Sequence, residues 1–184
     1  MLRASGLGYL GTRMEFGNFE RTRSNGAAYD AALKWSEPPP PSLGARGLLL
    51  YGPTGTGKTH LLCAVANRLI RGLGMFCLVQ KVPLLPRDDQ DAVLRLTDPS
   101  QAPVLVLDDV GAEKPTARAL EVLYDVVDGR LWAGAPILAT TNYTPEGLAE
   151  HLNEAGEGYG DRIVGRLREA CEFVKVGGKD RRQG

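Results

Sequence analysis

The sequence predicts an α/β domain, a parallel sheet with crossover helices, and three observations carry that expectation. Short continuous apolar runs, closed by glycine or polar residues, alternate with longer stretches whose apolar residues recur at helical spacing. A glycine-rich segment, GPTGTGKT at Gly52–Thr59, joins one such run to one such stretch. Two later runs end in polar groups, Asp108-Asp109 and Thr140-Thr141-Asn142, as expected where the strand ends of an open sheet gather around a ligand.

The elements follow in order. Ala27–Trp35 predicts a short helix, stopped by the SEPPPPS run at Ser36–Ser42, since consecutive prolines make a stiff extended linker. RGLLLYG at Arg46–Gly52 predicts a strand buried on both faces. Leu61, Leu62, Val65, Leu69 and Ile70 mark a helix over Lys58–Arg71, ended by Gly72 and Gly74. Met75–Val82 and Pro103–Val110 predict strands, and Leu120, Leu123, Val126, Val127 and Leu131 share one face of a helix over Thr116–Trp132. Ala135–Asn142 is a further strand, Thr144-Pro145 starts a helix, and Asp161–Ala170 and Cys171–Val176 are a closing helix and strand. The expected division is a leader, short helix and linker over residues 1–42, one domain over 43–177 and a basic, disordered tail over 178–184.

With 184 residues, 43% of them hydrophobic, the chain can bury one core. Its 22 basic and 22 acidic residues cancel, so net charge gives no ground for nucleic-acid binding. Cys63, Cys77 and Cys171 form no CxxC pair and predict reduced, buried thiols of a cytoplasmic protein rather than a zinc site. No stretch has the roughly 18 apolar residues of a membrane helix. MLRASGLGYLGTRM at the start has no sustained apolar region and is expected to be a loose leader, not a signal peptide.

GPTGTGKT fits G-x-x-x-x-G-K-[ST] between a predicted strand and a predicted helix, the context that gives this motif meaning. Gly52, Pro53, Thr54, Gly55, Thr56 and Gly57 would turn backbone N–H groups into a concavity for anionic oxygens, with the helix dipole behind them. Lys58 would meet the β- and γ-phosphates, the Thr59 hydroxyl would ligate Mg²⁺, and His60 adjoins the site. Asp108 would hold Mg²⁺ through water, and Asp109 would orient or deprotonate an attacking water. Aspartate is one methylene shorter than the glutamate expected there, which suits a slow timing switch better than a motor. The alternative for one of the acids is an N-cap or turn role, as Gly111 follows closely. Asn142 either senses the γ-phosphate and its water or merely opens the turn toward Thr144.

Together, FGNFERTRSNGAAYDAALKW, GPTGTGKTHLLCAVAN, VLVLDDVGAEKPTARALEVLYDVVDGR, PILATTNYTPEGLAEHL and GDRIVGRLREAC resemble the AAA+ ATPases of the DnaC/DnaI-type bacterial replicative-helicase loaders and the related IstB-type transposition ATPases. The resemblance implies a P-loop NTPase, a three-layer αβα sandwich with a five-stranded parallel sheet in the order 5-1-4-3-2. It implies Walker A at Gly52–Thr59, Walker B at Val104–Asp109 and sensor 1 at Asn142, with ATP and Mg²⁺ bound. Arg166, with Arg162 as the other candidate, would be the arginine finger offered to a neighbouring subunit, so self-association would complete the site. The alternative is that these arginines merely pair with Asp161, Glu169 or Glu172 on the helix surface, where ion pairs contribute little. The implied partners are a replicative helicase and single-stranded DNA, with a transposase as the alternative.

Three departures accompany the resemblance. Only about 45 residues precede the first strand, where loaders carry a helicase-gripping domain. The segment between Val82 and Pro103 is brief, and no lid or sensor 2 arginine is expected after the closing strand. A small-molecule P-loop kinase and a nucleotide-binding regulator without turnover are the competing classes.

Overall fold

Apolar residues alternate along each central strand, so successive side chains enter cores on opposite faces of one sheet. The computed structural model describes residues 2–38, 42–112, 114–156 and 158–180. Residues 39–41 of the expected proline linker and residues 181–184 of the expected tail lie outside the described residues. In chain order the elements are α1 (Gly8–Gly11), α2 (Gly26–Trp35), β1 (Gly47–Tyr51), α3 (Lys58–Gly72), β2 (Cys77–Lys81) and α4 (Gln90–Thr97). There follow β3 (Val104–Val110), α5 (Ala117–Trp132), β4 (Ile137–Thr141), α6 (Pro145–Asn153), α7 (Tyr159–Ala170) and β5 (Cys171–Lys175). The strands are parallel in the order β2-β3-β4-β1-β5, which is the expected 5-1-4-3-2 read from the other edge.

Leu48, Leu50, Val104, Val106 and Leu138 face α2 and α3, while Leu49, Leu105, Leu107, Ile137 and Ala139 face α5, α6 and α7. Three layers result. Each large aliphatic side chain fully buried this way stabilises the fold by roughly 1.5–3 kcal/mol. Thr116 and Thr144 cap α5 and α6 through their hydroxyls, accepting from Ala119 and Gly147 N–H. The Val82–Pro103 segment holds a helix that the sequence reading did not name, α4, capped by Asp89. No helix among the described residues is long and apolar enough to cross a membrane.

The leader is not loose. The Val79 N–H on the outer edge of β2 donates to the Ser5 carbonyl at 2.6 Å, and the Asn67 side-chain amide on α3 donates to the Gly11 and Met14 carbonyls, each at 2.8 Å. Leu7 and Phe19 are buried in the core around α3. An edge strand presents unpaired backbone groups, and this segment covers one of them.

A second unforeseen feature is Arg130 of α5, wholly buried. Its guanidinium donates to the carbonyls of Leu96 at 2.9 Å, Ala102 at 3.1 Å, Pro103 at 3.2 Å and Pro136 at 3.1 Å. It ties the end of α4 and the starts of β3 and β4 to one side chain. Burial pushes its pKa down to about 10, so it stays charged at neutral pH with carbonyl dipoles in place of water. Burial also pushes the thiols of Cys63, Cys77 and Cys171 up to about 12, leaving them protonated and unreactive.

Candidate phosphate-binding site

The chain leaves β1 at Tyr51 and turns at once through Gly52, whose φ is +143°; a Cβ there would lie 2.3 Å from the Val176 carbonyl oxygen. Gly57, at φ +97°, caps α3 and presses against the Phe19 ring. Glycine at both points lets the loop curl while β5 and the leader pack on it. Gly57 has no side chain to cap α3, and the first turn of α3 holds no acid. Its first N–H groups and dipole are therefore suited to an anion.

Lys58 is 5% exposed, and its Nζ donates to the Gly52 and Pro53 carbonyls at 2.8 Å each. The Thr56 hydroxyl donates to the Pro53 carbonyl at 2.9 Å, so Thr56 shapes the loop from within. Across the sheet, Thr59 Oγ1 donates to Asp108 Oδ1 at 2.8 Å, which joins the loop to the end of β3. Asp108 is nearly buried. Asp109 adopts φ +63° at a point where the β3–β4 register shifts between Leu107 and Val110.

A cavity of about 300 Å³ is lined by Thr54, Gly55, Gly57, Lys58, Thr59 and His60 from the loop and α3, by Asp109 near the end of β3 and Ala112 beyond it, by Asn142 after β4, and by Met14 from the leader. Sequence-predicted residues from three strand ends thus converge, because β4 lies between β1 and β3. His60 Nε2 lies 3.0 Å from both the Glu15 carbonyl and Asn18 Oδ1, and its ring meets Phe19 edge-on. Both neighbours accept, so Nε2 carries the proton.

Arg162 and Arg166 do not line this cavity. Both face α5: the Arg162 guanidinium lies 4.6 Å from the Tyr124 ring centroid, and Arg166 pairs with Asp128 at 2.7 Å and Glu169 at 3.3 Å. Met14 escaped the sequence reading because nothing local marks a leader residue as part of a cavity. The donor set fits magnesium. Mg²⁺ takes hard oxygen donors, one or two from the protein beside waters and phosphate. The Thr59 hydroxyl and the Asp108 carboxylate, 2.8 Å apart, are donors of that kind and would supply those oxygens.

A glycine loop between a parallel strand and a helix, with acids and an amide delivered by adjacent strands, defines a P-loop nucleotide-binding domain of the AAA+ class. Residues 44–184 match the IstB-like ATP-binding protein family, and the chain belongs to it. Residues 10–74 also match the bacterial DnaA ATPase domain. The chain is 32% identical over 149 residues to the replicative helicase loader DnaI of Bacillus subtilis (strain 168), covering 74% of this chain and 48% of the loader. It is 28% identical over 120 residues to an insertion-sequence protein of Mycobacterium tuberculosis, covering 62% of this chain and 45% of that protein. A crystal structure of DnaI superposes with a TM-score of 0.81 at 27% identity, covering 94% of this chain and 92% of that one. The chain is an AAA+ domain of the DnaC/DnaI type, related to IstB, and spans about half the length of these two curated relatives.

Proposed function

We propose that this chain is a slow ATP-hydrolysing switch that works as an oligomer and assists the loading of a replicative DNA helicase. The observation that carries the reading is the 2.8 Å bond between Thr59 and Asp108, with Asp109 and Asn142 on the same cavity. In this reading the loop N–H groups and Lys58 bind the β- and γ-phosphates, and Asp109 orients or deprotonates the attacking water. Asn142 registers the terminal phosphate. Mg²⁺, when bound at Thr59 and through water to Asp108, neutralises charge developing on the phosphates. The nucleoside lies in a second cavity, of about 520 Å³, lined by Glu20, Thr22, Asn25 and Lys179. Asp180 lines it too and lies against Gly55, which makes the two cavities neighbours.

Asp109→Asn should keep ATP affinity within about twofold and lower turnover by roughly 10²–10⁴-fold, the usual worth of a positioned base. Nucleotide titration beside a phosphate-release assay measures both, and unchanged turnover removes Asp109 from this role. Arg166 is proposed as the finger in trans, with Arg162 as its support. Its pair with the exposed Glu169 is of the kind that contributes little, whereas Asp128 is only 23% exposed, so breaking that closer pair is the larger cost of releasing Arg166 toward a neighbour. Arg166→Ala should leave ATP affinity nearly intact and abolish the rise of specific activity with protein concentration. A variant that only melts earlier defeats the assignment.

Likeness in sequence and fold to a helicase loader supports the helicase as partner, with single-stranded DNA as stimulant and the cytoplasm as compartment. The match of residues 44–184 to the IstB-like family supports a second reading, an ATPase partner of a transposase. Pull-downs with purified replicative helicase and with insertion-sequence transposase, each with and without ATP, separate them. Phosphoryl transfer to a nucleoside or sugar by a strictly monomeric protein overturns both.

A further inference from the structure

The two acids that end β3 are set by a β-bulge. Leu107 pairs with Ala139 and Val110 with Thr141, so Asp108 and Asp109 together oppose the single residue Thr140. A bulge of this kind bends the strand and takes an N–H out of the ladder, and a buried N–H without a partner is costly. Here the Asp109 N–H donates to Thr140 Oγ1 at 2.8 Å. The same hydroxyl donates its own hydrogen to Asp108 Oδ1 at 2.8 Å. Thr140 is fully buried, and next to it Thr141 Oγ1 donates to the Val110 carbonyl at 2.8 Å, closing the bulge on its far side. Asp109 needs such support, since φ +63° is unfavourable for a residue with a Cβ and persists only where neighbours enforce it.

We infer that Thr140 is the positioning residue of the acidic pair: one buried hydroxyl fixes the Asp108 carboxylate and holds the Asp109 backbone in the conformation that puts Asp109 on the phosphate cavity. Thr59 also bonds Asp108 Oδ1, but Thr59 is the side chain proposed to turn to Mg²⁺. Thr140 then holds Asp108 from inside the sheet. The effect on turnover rests on the ATPase reading; the effect on the Asp109 backbone does not.

Two variants test it. Thr140→Val keeps the volume and removes the hydroxyl, and Thr140→Ser keeps the hydroxyl and removes a methyl. Thr140→Val should leave ATP affinity within about twofold while lowering kcat by roughly 10–100-fold, the penalty of a misplaced catalytic group. Amide hydrogen exchange, followed by NMR on the protein without nucleotide, should show protection of the Asp109 N–H falling by about tenfold or more in Thr140→Val. Thr140→Ser should return both readouts toward wild type. A packing role predicts the reverse order, with Thr140→Val intact and Thr140→Ser impaired, and that result overturns the inference, as does a Thr140→Val protein unchanged in both readouts. If the wild-type protein hydrolyses no ATP, the ATPase reading fails and the exchange comparison alone decides the place of Thr140.

Discussion

Lys58→Ala should lower affinity for ATP by roughly 10²–10³-fold, a loss comparable to removing a preorganised charge-stabilising donor. The ammonium sits at the mouth of α3, on the Gly52 and Pro53 carbonyls, and it lines the cavity shared with Thr59 and Asp109. It is the cation that the glycine loop presents where two or more phosphate charges would lie, and loop N–H dipoles alone do not offset those charges. The fold should lose less, on the order of 1–2 kcal/mol, because only two loop hydrogen bonds are removed and one of them, to the Pro53 carbonyl, is only part-buried. Calorimetric titration with ATP and Mg²⁺, run beside a melting curve, separates the two effects. Wild-type affinity in the variant removes the phosphate site from this loop.

The largest expected loss of stability lies on the far side of the domain. Arg130→Ala should destabilise the fold by about 4 kcal/mol or more, since it leaves three buried carbonyls and one part-buried carbonyl short of a donor and opens a cavity. In a domain of this size that corresponds to a drop of roughly 8–16 °C in Tm. Arg130→Met keeps most of the stem and should still lose most of that stability, because the guanidinium, not the stem, satisfies the carbonyls. Equal stability of Arg130→Met and wild type in urea denaturation would show that packing by the stem is what matters. The pH dependence has a definite sign. With the folded pKa lowered to about 10 from 12.5, the unfolded chain binds more protons within that window. The contribution of this group to stability therefore rises with pH there and is flat through neutral pH.

The layered fold and most of the site were legible in the sequence because local patterns specify them. Buried parallel strands read as continuous apolar runs, the helices read as 3.6-residue periods, and the P-loop is a contiguous motif whose glycines, Lys58 and Thr59 are neighbours in the chain. Asp108, Asp109 and Asn142 were legible for a related reason: they end strands, and strand ends of a parallel sheet share one edge. Of the partners of the α7 arginines, Glu169 was legible because it lies three residues from Arg166 on the same helix, whereas Tyr124 and Asp128 belong to another helix.

By itself, then, the sequence determined the alternation of strands and helices, the phosphate loop and the residues that surround it. Tertiary structure alone decided that the leader pairs with β2 at Val79, that Met14 reaches the cavity, that Thr140 faces a bulge, and that Arg130 holds carbonyls of α4 and of the segments leading into β3 and β4. The physical reason is common to all four. Each depends on a buried polar group or an exposed edge finding its partner across more than a turn of local chain, and no periodicity records such a meeting.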